Sequence, residues 1–294
     1  MTSDFTDRWA RWLLHDRCGG DDEALARNLV GLEPIRDRVL SQAGISSGDV
    51  VLDVGCGDGL IGFGAIPLVG ATGQVTFTDI SDQLLERCRL IASDTGVSQN
   101  CRFLTTPAET LLGVDDSSVD VVTTRSVLIY VEDKAAAFAA FRRVLKPGGR
   151  VSLLEPINRR FAALNQGTLF GYDPGPVIEL AARVRAVFEA NAPIDGAMMG
   201  FDETDLLLLA ENAGFSDIAV TLELSTSQSP YPLVSWDQLM KTSPNPNAPT
   251  YREAIDQALS PVEAASIEEY LRPLMEKGGG RNRGALAYLR ASIP

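Results

Sequence analysis

Val50-Val51-Leu52-Asp53-Val54-Gly55-Cys56-Gly57-Asp58-Gly59 decides the fold of this 294-residue chain. An apolar run ends in an acidic residue, and three glycines follow at alternate positions. The run reads as a buried parallel strand and the glycines as a tight turn into a helix that begins near Leu60. Glycine lets backbone approach a ligand where a Cβ would collide, and such a helix presents its first amides to that ligand.

Working outward, strand and helix patterns alternate. Gln74 to Thr78 reads as a second strand that ends at Asp79. An acid at that point binds ribose hydroxyls in nucleotide-binding sheets. The plainer role is a charge at the start of the next helix, Ser81 to Asp94, with Leu84, Leu85, Cys88 and Ile91 on one face. Cys101 to Thr105 and Val119 to Thr124 are further strands, and Lys134 to Leu145 is a helix capped by Asp133. Lys146-Pro147-Gly148-Gly149-Arg150 is a sharp turn into a strand from Val151 to Leu154, which ends at Glu155-Pro156. This order implies a parallel sheet with right-handed crossovers. Ligands on such sheets sit outside the carboxyl ends of the strands, so Asp53, Asp79, Thr106, Arg125 and Glu155 should rim one crevice.

Asp53-Val54-Gly55-Cys56-Gly57-Asp58-Gly59 resembles the first motif of the class I S-adenosylmethionine-dependent methyltransferases, and Leu145-Lys146-Pro147-Gly148-Gly149 resembles a second signature of that family. The resemblance implies an α/β fold: a Rossmann-like doubly wound sheet of about seven strands, mostly parallel with the last strand antiparallel. It implies S-adenosyl-L-methionine as cofactor and in-line methyl transfer to an O or N atom of a small-molecule acceptor. Asp53, Gly55, Cys56, Gly57 and Gly59 would surround the methionine part, with Asp79 and Ile80 at the ribose and Pro107, Ala108 and Glu109 at the adenine. Arg125 would stand where cofactor meets acceptor. Pro107 departs from the pattern, because the family usually has an acid there; the Ala108 amide would remain, and Thr106 or Glu109 would take the amino group. Two alternatives stay open. An NAD-dependent enzyme uses a similar turn, although its fingerprint is G-x-G-x-x-G and this loop has Leu60 at the sixth position. A non-catalytic S-adenosylmethionine-binding protein would tolerate Pro107.

A formal net charge of −13 argues against a nucleic-acid partner. The short basic runs Arg142-Arg143, Arg159-Arg160 and Arg281-Asn282-Arg283 read as solvated surface. Arginine far outnumbers lysine and alanine is abundant, which fits a GC-rich bacterial genome. Cys18, Cys56, Cys88 and Cys101 form no C-x-x-C and read as reduced thiols. No ligand cluster has metal spacing, so no metal is expected. No signal peptide or membrane-length apolar run is visible, and a cytoplasmic, soluble protein without membrane contact is expected.

The organisation expected is a helical N-terminal cap over 1–44, the cofactor-binding core over 45–156, a helical substrate insertion over 157–200, the remainder of the core over 201–224 and 284–294, and a lid or dimerisation insertion over 225–283. In the cap, Phe5, Trp9, Trp12 and Leu13 form an amphipathic face, and a second helix from Ala24 to Leu40 is interrupted by Pro34. In the second insertion Asn158, Arg159, Phe161, Phe170, Tyr172 and Asp173 precede a helix near Val177 to Ala190. Phe201 and Leu206 staple a helix capped by Asp202, and Asp217 to Leu224 and Ala285 to Leu289 read as strands. Tyr231, Trp236 and Met240 are pocket candidates in the lid, with lid core as the plainer role, and the lid would serve acceptor binding or a homodimer contact. Methyl transfer from a sulfonium is mainly a matter of alignment. A base is needed only for an acceptor that must lose a proton, and the candidates are His15, the single histidine, and Glu155. Tyr130 and Arg125 are weaker candidates of the same kind.

Overall fold

The computed structural model describes residues 5–228 and 235–294. Its centre is a seven-stranded sheet: β1 (Val50–Val54), β2 (Gln74–Asp79), β3 (Cys101–Thr105), β4 (Val119–Arg125), β5 (Leu145–Pro156), β6 (Ser216–Gln228) and β7 (Arg281–Ser292). The order is β3-β2-β1-β4-β5-β7-β6. Neighbours from β3 through β5 pair in parallel, and β7 runs antiparallel to both β5 and β6. The apolar runs read as strands are therefore the central ones, covered on both faces. The turn expected at Lys146 to Arg150 lies inside β5 as an irregularity: Leu145 pairs with Val119 and Arg150 with Val121, and Lys146 reaches Asp120 at 2.7 Å.

Helices cover both faces. On one side α2 (Asp22–Ala43) and α3 (Leu60–Val69) bury Val39, Leu40, Ile61 and Ala65 against Val51, Val75 and Phe77. On the other, α5 (Lys134–Val144) and α8 (Glu203–Asn212) bury Phe138, Phe141, Leu206 and Ala210 against Leu52, Val122, Leu153 and Leu289. Asp202 caps α8 in a reciprocal capping box with Asp205, and Phe201 and Leu206 are both buried beside it. Helix α2 runs through Pro34 without a break, contrary to the interruption expected there. Proline removes the donor to the carbonyl four residues earlier; that residue is Val30, which is 64% exposed, so water can take the orphaned oxygen.

The two insertions form one unit rather than two. Helices α7 (Ile178–Asn191), α9 (Trp236–Met240), α10 (Tyr251–Ala258) and α11 (Pro261–Lys277) share a third core of Ala181, Val184, Trp236, Met240, Ile255 and Leu271. Trp236 and Met240 are thus buried in this helical core and do not line the cavity described below; Tyr231 lies outside the described residues. The strands also extend further than expected: β6 and β7 stay paired as far as Gln228 and Arg281, so the insertion springs from the tip of a long hairpin. At the N-terminus α1 (Arg8–Leu14), capped by Asp7, is tied to this unit. The Trp12 indole donates to the Ser243 carbonyl at 3.0 Å, and the Ser243 amide donates to the Asp16 carbonyl at 2.9 Å.

Candidate functional site

The strand order changes direction between β1 and β4, the position at which open α/β sheets leave a crevice. A cavity of about 1150 Å³ opens there. Four of the five strand-end residues expected to meet do so: Asp53, Asp79, Thr106 and Arg125 all line it. Gly55, Cys56, Gly57, Ile80, Pro107, Ala108 and Glu109 line it as well.

The glycine turn has the geometry its sequence requires. Gly55 sits at φ +61°, and a Cβ on it would lie 2.4 Å from Val127 Cγ2, so glycine brings the β1 loop against the β4 loop. Gly59, at φ +87°, is the N-cap of α3, and its own Cβ would strike the Phe63 ring at 2.4 Å. It shapes the turn and does not line the cavity, because the helix start turns it toward Phe63 and Cys88. The Cys56 amide donates to the Thr78 carbonyl at 2.8 Å, fixing the loop to β2.

The acids are held in place by backbone. Asp53 Oδ2 accepts the Gly62 amide at 2.9 Å and Oδ1 accepts the Thr123 hydroxyl at 3.1 Å, joining β1, α3 and β4. Burial lifts this carboxyl to about 7 despite both hydrogen bonds. Asp79 accepts the Gly57 amide through Oδ2 and the Ser81 amide through Oδ1, each at 2.9 Å. Burial raises its carboxyl too, and the amides of Ser81 and Gly57 oppose that rise. One oxygen of Asp79 thus serves the start of α4 (Asp82–Asp94) and the other the glycine turn. Beside them the Thr106 hydroxyl is buried without a protein partner, and so is the Asn28 side-chain oxygen on α2, also in the cavity wall.

Glu155 does not line the cavity. It is completely buried, and its oxygens accept the amides of Val127, Leu128 and Ile129 at 3.0, 3.0 and 3.2 Å. Desolvation lifts it to about 7 against those three bonds. It orders the loop after β4 and takes no place facing a ligand. His15 is also absent from the wall: its half-exposed ring lies at the end of α1, with Nδ1 2.8 Å from Asp16 Oδ1. Helix α1 stops at Leu14, and the chain turns away before the imidazole can point inward.

Beyond Arg125 the cavity continues between α1 and the segments inserted after β5 and β6. Trp9, Trp12 and Leu13 of α1 line it with Tyr130, whose phenol burial pushes well above the ordinary range. Of the residues expected after β5, Asn158, Phe161 and Phe170 line it, whereas Arg159 lies 3.8 Å from Asp202 and Tyr172 joins the lid core. Arg17, Asn28, Arg185, Met198, Met199 and Tyr251 belong to the wall without having been expected there. None lies in a motif; each arrives by the packing of cap and lid on the sheet. Among the described residues no group of three or more His, Cys, Asp or Glu converges as for a metal ion, and no helix is long and apolar enough to cross a membrane.

A family model described as a methyltransferase domain matches residues 45–191. The ubiquinone/menaquinone biosynthesis C-methyltransferase of Marinomonas sp. (strain MWYL1) is 40% identical over 116 residues, which cover 40% of this chain and 46% of that protein. The protein of the same name from Pseudomonas putida (strain ATCC 700007) is 38% identical over 135 residues, 45% of this chain and 52% of that one. The match thus spans about half the length of these relatives. Among solved structures, a putative methyltransferase from Bacillus halodurans superposes with a TM-score of 0.55 at 17% identity, covering 88% of this chain and 98% of that one. The YcgJ protein of Bacillus subtilis gives 0.54 at 16%, covering 88% and 97%. At such identities the likeness is one of fold. The family model extends over half of this chain, across the glycine turn and all five parallel strands, and the chain belongs to the class I S-adenosylmethionine-dependent methyltransferases.

Proposed function

We propose that the chain transfers a methyl group from S-adenosylmethionine to a small molecule held between the N-terminal cap and the lid. The observation that carries this reading is a single cavity running from the glycine turn to the aromatic walls of cap and lid. Its volume, about 1150 Å³, stands at the top of the range for small-molecule sites, room for two molecules to meet. The residues present suit the donor. Gly55 and Gly57 bring bare backbone to the cavity wall, Asp79 offers a carboxylate for ribose hydroxyls, and the orphaned Thr106 hydroxyl lies beside Pro107, Ala108 and Glu109 at the adenine end. The donor, when bound, supplies an electrophilic methyl on a sulfonium.

The chain's own work is then positional. Asp53 fixes β1, α3 and β4 relative to one another, and Glu155 fixes the β4 loop against which Gly55 packs. Trp9, Trp12 and Tyr130 give the wall beyond Arg125 an aromatic surface against which an acceptor can be aligned. Among the described residues of the wall no imidazole is present, and the Tyr130 phenol is held protonated, so neither serves as a base at neutral pH.

Oxygen or nitrogen as the acceptor atom is the expectation from sequence. Methylation at carbon is a second reading, favoured by the relatives at 38–40% identity, whose names describe C-methyltransferases. Calorimetric titration with S-adenosylmethionine, S-adenosylhomocysteine and NAD tests the donor. Binding of NAD alone would overturn the proposal, and carbon-13 transfer from labelled donor, read by NMR, identifies the acceptor atom.

A further inference from the structure

Lys134 stands where a lysine is costly on two counts. It is the first residue of α5, at the positive end of the helix, and it is only 9% exposed. Burial works against its charge, and Glu155, Glu132 and Asp205 support that charge only from beyond ion-pair distance. What holds the ammonium is backbone. Nζ donates to the Val131 carbonyl at 2.8 Å and to the Ala197 carbonyl at 3.0 Å, and it stands 4.6 Å from the centre of the Phe201 ring. The two carbonyls belong to separate walls of the cavity. Val131 closes the loop after β4, whose Val127, Ile129 and Tyr130 line the cavity and whose amides Glu155 already holds. Ala197 precedes Met198 and Met199, which line it from the segment after α7. That segment has little structure of its own. Its backbone bonds stay within a run of turns, the Gly196 amide to the Pro193 carbonyl at 2.9 Å and the Gly200 amide to the Gly196 carbonyl at 2.7 Å. Side chains fix its place: Lys134 at the Ala197 carbonyl, Asn158 Nδ2 at the Met198 carbonyl, 3.1 Å, and Arg159 Nε at the Met199 carbonyl, 3.3 Å. Of the three, Lys134 alone also grips the loop after β4.

We infer that Lys134 is a positioning residue for acceptor choice: it clamps the loop after β4 to the Met198–Met199 turn, and the spacing of those two walls decides how broad an apolar acceptor is admitted. The inference rests on the proposed placing of the acceptor beyond Arg125. Lys134 does not line the cavity itself, so it acts through the walls it joins. Methionine side chains adapt to many apolar shapes, and selectivity at such a wall depends on fixing the backbone beneath them. Without the ammonium the Ala197 carbonyl would turn to water, and the methionine turn would be free to move away from the loop after β4. A buried lysine with no ion pair is not explained by charge pairing, and the clamp accounts for it.

The test is NMR of protein carrying carbon-13 at its methionine methyls and saturated with S-adenosylhomocysteine. The chain has five methionines, so Met198 and Met199, assigned by leucine substitution, are read beside Met240 and Met275 of the third core. Lys134→Leu should shift and narrow the Met198 and Met199 signals and leave Met240 and Met275 in place. Lys134→Arg keeps the donors and should stay close to wild type. Lys134→Gln should fall between the two, and it carries the test if the leucine variant does not fold. Titration of the same methyls with 1-naphthol and the broader N-phenyl-1-naphthylamine reads selectivity. Loss of the clamp should move the ratio of the two affinities about threefold or more toward the broader probe, while affinity for S-adenosylhomocysteine, by calorimetry, holds within about threefold. Unchanged Met198 and Met199 signals, an unchanged probe ratio, or an arginine variant that behaves as the leucine one would overturn the inference. Equal shifts at all four methionines would also overturn it and leave Lys134 a residue of overall stability. Failure of both probes to perturb Met198 and Met199 in wild-type protein would overturn the placing of the acceptor, and the inference with it. Binding of S-adenosylhomocysteine in that same sample would leave the donor reading standing.

Discussion

Replacing Gly55 by alanine combines two effects that can be measured apart. The first is backbone strain: Gly55 sits at φ +61°, a region that costs an L-residue about 1–2 kcal/mol. The second is collision: the new Cβ would lie 2.4 Å from Val127 Cγ2 and 3.1 Å from Cγ1. Val127 has little freedom to retreat, because its amide is held by Glu155 Oε1 at 3.0 Å and its side chain packs on the core. Forced overpacking of this kind costs about 1–3 kcal/mol. Gly55→Ala is therefore expected to destabilise the protein by about 2–5 kcal/mol in urea unfolding. It should also weaken S-adenosylhomocysteine binding in calorimetry, since the same shift moves the Cys56 and Gly57 amides. Adding Val127→Ala removes both Cγ atoms and leaves the strain, so the double variant should show a favourable coupling of about 1–3 kcal/mol with about 1–2 kcal/mol unrecovered. A coupling below about 0.5 kcal/mol would show that the two loops do not meet as described. Full recovery would show that the backbone at Gly55 carries no strain.

Three further outcomes are expected. Asp79→Ala should weaken S-adenosylhomocysteine binding severely by calorimetry, through loss of charge-assisted hydrogen bonds, and near-wild-type affinity would mean the ribose lies elsewhere. Burial lifts the carboxyls of Asp53 and Glu155 to about 7, so the folded protein keeps protons that the unfolded chain has released. Stability from this pair is complete below about pH 4 and is lost as pH rises through about 7. Carboxyls held below their ordinary range, such as Asp120 and Glu263, act at lower pH. The urea midpoint should thus fall between pH 5 and 8, and Asp53→Asn with Glu155→Gln should flatten that fall; a rise would contradict the burial assigned to both groups. Trp12→Phe removes the bond to the Ser243 carbonyl and should lower stability by about 1 kcal/mol, and no change in urea unfolding would show that cap and lid are not joined there.

The cofactor half was legible because its signals are local. The buried run of β1, the acids that end β1 and β2, and the Asp133 and Asp202 caps each depend on a few adjacent residues, and the structure keeps them at the expected positions. What escaped depends on contacts distant in sequence. Trp236 and Met240 are buried in a core shared with α7, and the Trp236 ring meets that of Phe170, 66 residues earlier, at 6.3 Å, which no periodicity within 225–283 carries. The helix runs on through Pro34 with Val30, the residue whose carbonyl loses its donor, on the exposed side, a matter of where the helix lies. Glu155 was placed correctly at a strand end but points away from the crevice, since three amides of the β4 loop claim it. Arg17 carried no signal at all; it enters the cavity wall only through the packing of the N-terminal segment on the sheet.

The long pairing of β6 with β7 has an evolutionary consequence. The segment between them leaves and re-enters the sheet at paired residues, Gln228 and Arg281. Its ends are already together, so the entropy of closing the loop grows only slowly with what is placed between them. The three helices α9, α10 and α11 can therefore be lengthened, shortened or exchanged as a cassette without altering the register of any strand. Recombination at this hairpin would renew the outer wall of the cavity and leave the glycine turn untouched, so specificity can drift far more rapidly than the scaffold that carries it.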